Sequence, residues 1–120
     1  MYIGDEGASV LCKVLIRHKN ISLIDLKGNN ITSHGFISIF EALKTNFHLK
    51  TLIIEWNKLG GQDLTGLESL YQLMQNNRTV THLDLRNNRI NATGAHILSN
   101  IIRNNNILHS IDLRWNELGN

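Results

Sequence analysis

Residues 80–90 read VTHLDLRNNRI, and three other segments fall on the same template: ISLIDLKGNNI at 21–31, LKTLIIEWNKL at 49–59 and LHSIDLRWNEL at 108–118. Each has aliphatic residues at positions 1, 4, 6 and 11 and an asparagine at position 9. Positions 3 to 7 alternate as a short, half-buried strand does. The stretches between segments repeat with a different period. Gly7, Leu11 and Leu15 correspond to Gly35, Ile39 and Leu43, to Gly66, Leu70 and Met74, and to Gly94, Leu98 and Ile102. Glycine followed by aliphatics at plus 4 and plus 8 marks one face of a helix. Each unit therefore predicts strand, turn, helix and return loop. The segments start 28, 31 and 28 residues apart. The three extra residues of the second unit fall in Gly60-Gly61-Gln62-Asp63-Leu64-Thr65, where they lengthen a loop and leave the apolar register intact.

Units of this length stack into a solenoid whose core is a series of nearest-neighbour interfaces. The expected fold class is α/β: a curved solenoid with parallel strands on the concave side and helices on the convex side. Residues 1–120 are expected to form one domain of about four repeats. It is expected to be incomplete at both ends, because Ile3 already occupies position 11 and the last segment stops at Leu118-Gly119-Asn120.

Composition excludes several functions. The formal net charge of +2 is near balance and the 12 basic residues are scattered, so nucleic-acid binding has no electrostatic footprint. There is one cysteine, Cys12, and no apolar run approaches the roughly 18 residues of a membrane span. No signal peptide opens the chain, and a reduced, cytoplasmic location is the default reading. The six histidines fall at unrelated repeat positions. His82 and His109 come nearest, on adjacent strands, but at positions 3 and 2 their side chains are expected to point differently. No metal, cofactor or catalytic set is expected: there is no nucleophile elbow, phosphate-binding glycine loop or zinc-binding helix. Cys12 reads as a packed or half-buried thiol.

Asn29, Asn57, Asn88 and Asn116, at position 9, read as a structural ladder. An amide carries both donors and an acceptor, so stacked copies can satisfy the backbone of a tight turn between repeats. Function is expected on the outward columns. Position 5 holds Asp25, Ile53, Asp84 and Asp112, beside Lys27, Glu55, Arg86 and Arg114 at position 7. One reading makes these charges a recognition surface, and the other lets them neutralise one another across strands about 4.8 Å apart. Position 8 reads Gly28, Trp56, Asn87 and Trp115, which places both tryptophans of the chain in one column. Either each indole folds over its own turn, or Trp56, Arg86, Asn87, Arg89, Arg114 and Trp115 form a partner-binding rim, since Trp and Arg are enriched in interface hot spots.

The strand–helix repeat with glycine opening the helix resembles the ribonuclease-inhibitor-like subfamily of leucine-rich repeats over essentially the whole chain. The ordered set IDLKGNNI, IIEWNKLG with its enlarged loop, LDLRNNRI and IDLRWNELG is similar to one centrosomal member of that subfamily. The resemblance implies a non-enzymatic protein-interaction scaffold in centrosome cohesion or basal-body organisation, with coiled-coil proteins of the centrosomal linker as partners. It supplies no catalytic residues. A GTPase-activating or regulatory scaffold for a small GTPase is the alternative, and an innate-sensor repeat domain is a third.

Overall fold

The computed structural model describes residues 2–118. Helices and strands alternate: α1 Gly4–Arg17, β1 Leu23–Asp25, α2 Ser33–Leu43, β2 Thr51–Ile53, α3 Thr65–Asn76, β3 His82–Asp84, α4 Ala92–Asn104 and β4 Ser110–Asp112. The four strands form one parallel sheet in the order β1-β2-β3-β4. Equivalent template positions pair throughout, so that Ile24, Leu52, Leu83 and Ile111 form one column. Among the described residues each helix lies beside only the helix before it and the helix after it, as a solenoid requires.

The strands cover positions 3 to 5, shorter than the alternation from 3 to 7 suggests. The backbone ladder nevertheless runs on: Leu26 N–H donates to Ile53 O (2.8 Å), and Trp56 N–H donates to Arg86 O (3.0 Å). Apolar positions 4 and 6 of the first three segments point into the core, where Leu52, Ile54 and Leu85 are wholly buried. Helix faces supplying Phe36, Ile39, Phe40, Leu67, Leu70 and Leu98 close over them. Ile102, expected on the core face of α4, is instead exposed, while Ile101 is buried. Plus 7 and plus 8 straddle the 3.6-residue period, and among the described residues α3 is the one helix beside α4, which leaves the plus 8 side uncovered.

The glycine opening α3 is needed for close approach. A Cβ on Gly66 would lie 2.7 Å from Ser33 Oγ and 3.0 Å from Ser33 Cα at the start of α2. Gly66→Ala is expected to cost about 1–3 kcal/mol by overpacking, read as a lower urea midpoint with an unchanged denaturant slope.

A second asparagine column, missed by the sequence reading, fixes the entry to the strands. Asn46, Asn77 and Asn105 stand three residues before segments two, three and four. Their Oδ1 atoms each accept two backbone N–H groups at 2.8 Å: His48 and Leu49, Thr79 and Val80, Ile107 and Leu108. The signal was an asparagine three residues ahead of each apolar start; His18 occupies the equivalent place before the first segment, which obscured it.

Candidate functional site

The turn after each strand is built by position 9. Asn57 Oδ1 accepts from Asn29 N–H (3.2 Å) and Ile31 N–H (2.9 Å), while its Nδ2 donates to Leu26 O of the preceding repeat (2.9 Å) and Ile54 O of its own (3.0 Å). Asn88 accepts from Leu59 N–H and donates to Ile54 O. Asn116 accepts from Asn88 and Ile90 N–H and donates to Leu85 O. Each amide thus joins two repeats.

Locking this turn sets the backbone of the preceding residue. Position 8 lies in the left-handed region in all four repeats: Gly28 at φ +68°, Trp56 at +60°, Asn87 at +55° and Trp115 at +62°. Glycine and asparagine adopt that region readily, whereas a bulky side chain there is strained. Both indoles are mostly exposed, Trp56 at 58% and Trp115 at 64%. They flank an open groove of about 740 Å³ at the carboxyl ends of the strands, with Asn87 between them and Lys58, Arg89, Glu117 and Tyr2 along its borders. The side-chain nitrogen Nδ2 of Asn87 is buried and has no hydrogen-bond partner among the described residues.

Arg86 and Arg114 occupy different ground from the other rim candidates. Neither lines the groove. Their guanidinium carbons lie 5.8 and 5.5 Å from the Trp115 ring centroid, within cation–π range. Arg86 also pairs with Asp84 (2.6 Å), Glu55 (3.0 Å) and Asp112 (3.5 Å), and Arg114 pairs with Asp112 (2.7 Å). Lys27 approaches Glu55 at 3.8 Å. Glu55, Asp84 and Asp112 are therefore matched by Lys27, Arg86 and Arg114 across the sheet. Glu55 is buried within this network although it sits on the outward side of the strand.

The network moves proton affinities. The hydrogen bond from Arg114 holds the Asp112 carboxyl down at about 2, and the hydrogen bond from Arg86 lowers that of Asp84. An unfolded aspartate titrates near 3.9. A carboxyl depressed in the folded state contributes stability above that value and loses it as pH falls through the folded pKa. Stability is therefore expected to decline from about pH 4 toward about pH 2. In Arg114→Gln the Asp112 titration, followed by carboxyl NMR, is expected to move up toward the ordinary value. A midpoint unchanged in that variant would contradict the assigned cause.

His82 and His109 do not diverge as expected from their template positions. Their rings lie parallel, with centroids 6.4 Å apart and an interplanar angle of 12°. Position 2 precedes the strand, so strict side-chain alternation does not govern it. Among the described residues no group of three His, Cys, Asp or Glu side chains is placed to hold a metal ion. Cys12 is half-buried, and burial raises its thiol pKa. No helix among them is long and apolar enough to cross a membrane.

Residues 45–68 and 76–96 match the family model described as Leucine Rich repeat. The chain is 35% identical over 93 residues to leucine-rich repeat-containing protein 45 of Gallus gallus, covering 78% of this chain and 14% of that protein. It is 30% identical over 89 residues to NACHT, LRR and PYD domains-containing protein 5 of Homo sapiens, covering 73% of this chain and 7% of that one. The chain thus spans a small part of the curated relatives it matches. Among solved structures, the leiomodin-1 actin-binding site 2 superposes with a TM-score of 0.81 at 17% identity, over 96% of this chain and 69% of that one. The tropomodulin C-terminal domain from Caenorhabditis elegans superposes with a TM-score of 0.73 at 18% identity, over 96% and 72%. At these identities the likeness shows the fold alone.

Proposed function

Taking the chain as the leucine-rich-repeat protein that its matched repeats and its 35% identity to a relative over 78% of its length make it, we propose that it is a non-enzymatic protein-interaction scaffold that holds a partner on the rim of its concave face. The observation that carries this reading is the pair of exposed tryptophans in strained left-handed positions. Gly28 and Asn87 fill the same column without that strain, so bulky aromatics are not what the turn itself needs. Backbone strain of this kind, about 1–3 kcal/mol per residue, collects at functional sites. Trp56, Asn87, Arg89 and Trp115 are the proposed contact residues, and Arg86 and Arg114 are proposed to steady Trp115 from the sheet side.

The finer reading places the scaffold at centrosomes or basal bodies, with coiled-coil proteins of the centrosomal linker as partners. Its support is the ordered repeat set and the 35% identity to leucine-rich repeat-containing protein 45. Proximity labelling from the tagged chain in dividing cells is expected to enrich centrosomal coiled-coil proteins, and Trp56→Gly is expected to reduce that enrichment. Labelling spread evenly through the cell would overturn the placement. In a single-turnover assay with purified small GTPases, GTP hydrolysis is expected to proceed at its intrinsic rate; acceleration would replace this reading with the GTPase-regulating one.

A further inference from the structure

We propose that the rim groove takes a proline-rich segment in the polyproline II conformation, seated with one helical turn on Trp56 and the next on Trp115. This rests on the rim reading above and adds the chemistry of the occupant. The spacing comes first. The ladder stays closed up to position 8, where Trp56 N–H donates to Arg86 O (3.0 Å) and Asn87 N–H donates to Arg114 O (3.3 Å). The two indoles are therefore attached two strand spacings apart, about 9.6 Å. A polyproline II helix advances 3.1 Å per residue with three residues per turn, so it returns to the same face about every 9.3 Å. Residues i and i+3 of such a segment reach the two tryptophans in register.

Competing backbones fit this row poorly. In a β-strand, residues i and i+3 span a similar length but point to opposite faces. Strand addition also needs a free ladder edge, and at this point the backbone donors of Trp56 and Asn87 are already used within the sheet. An α-helix returns to one face after seven residues, yet its carbonyls are consumed internally. Asn87, midway along the row, has a side-chain nitrogen with no partner among the described residues. A polyproline II segment makes no internal hydrogen bonds and leaves every carbonyl free to accept, which offers this amide an acceptor once its side chain turns toward the groove.

Charge narrows the choice. The Trp115 ring already carries the Arg86 and Arg114 guanidiniums, which disfavours a cationic ligand on that ring. Lys58 and Arg89 outnumber Glu117 at the borders. The segment that fits is proline-rich and neutral or acidic at its flanks, docking as other aromatic grooves take such segments.

The test is selection of a phage-displayed random 12-residue peptide library on the full chain. The readout is tryptophan fluorescence excited selectively over tyrosine, which reports this groove because both tryptophans of the chain line it. The expected result is enrichment of prolines three residues apart, with selected peptides giving a saturable fluorescence shift and binding at least tenfold more weakly to Trp56→Gly or Trp115→Gly. Enrichment of proline-free peptides with apolar residues at i, i+4 and i+7 that still need both tryptophans would overturn the polyproline proposal and keep the rim. Selected peptides that bind both variants as they bind the unaltered chain would overturn the rim as well. No enrichment over background would count against any linear-peptide occupant, and the partner-labelling experiment would then judge the rim separately.

Discussion

Asn88→Ala is expected to destabilise the chain by about 3 kcal/mol. Asn88 is fully buried. Its Oδ1 accepts from the wholly buried Leu59 (3.1 Å), and its Nδ2 donates to Ile54 O (2.8 Å) and Arg86 O (3.0 Å). Truncation removes these bonds and strands the Leu59 N–H, and an unsatisfied buried group costs about 1–3 kcal/mol beyond the bonds lost. Leucine at 88 restores volume but no hydrogen bond, so Asn88→Leu is expected to be no better. Asn116→Ala, half-buried, is expected to lose about 1 kcal/mol. Because a solenoid is held by nearest-neighbour terms, Asn88→Ala also cuts the coupling between the second and third repeats, and urea unfolding followed by circular dichroism is expected to broaden. A loss below about 0.5 kcal/mol with a sharp transition would mean that the turn is held by something else.

Trp56→Gly and Trp115→Gly are expected to separate stability from recognition. Removing a bulky residue from the left-handed region relieves about 1–2 kcal/mol of backbone strain. Glycine adds chain entropy to the unfolded state, which offsets about 0.5–1 kcal/mol of that gain. The side chains are mostly exposed, so little apolar burial is lost. Stability is therefore expected to hold within about 0.5 kcal/mol or rise, with Trp115 the less favourable case because it also loses its two guanidinium contacts. Partner affinity is expected to fall by about 2 kcal/mol or more per tryptophan, the range of an interface hot spot. Calorimetric titration against the captured partner, beside urea melts of the same variants, checks both halves. If each variant were destabilised and binding persisted, the indoles would be shields for their turns rather than contact residues.

The repeat spacing made the architecture legible, because apolar period and segment length act locally and identically in every unit. The pairing of Ile24, Leu52, Leu83 and Ile111 follows from aligning the four segments, since a one-residue slip would send the core side chains to the wrong face. The column of Trp56 and Trp115 was likewise legible as a column. Its conformation was not, because nothing in the residue names says that position 8 takes a positive φ; Gly28 and Asn87 hinted at it, and the tryptophans masked the hint. The strand-entry asparagines were overlooked for a related reason. His18 breaks their series at the first member.

The amino-acid sequence by itself determined the solenoid, its alternation of strands and helices, the apolar faces and the gathering of both tryptophans in one column. These follow from periodicity, which needs no knowledge of distant contacts. Only the tertiary structure decided which charges answer one another, that Arg86 is committed to Asp84, Glu55 and Asp112, and that His82 and His109 stack. It also decided that the indoles stand exposed beside one groove. Each of these depends on where a long side chain reaches between neighbouring repeats, and that is set by packing across the stack rather than by any residue's place within its own repeat.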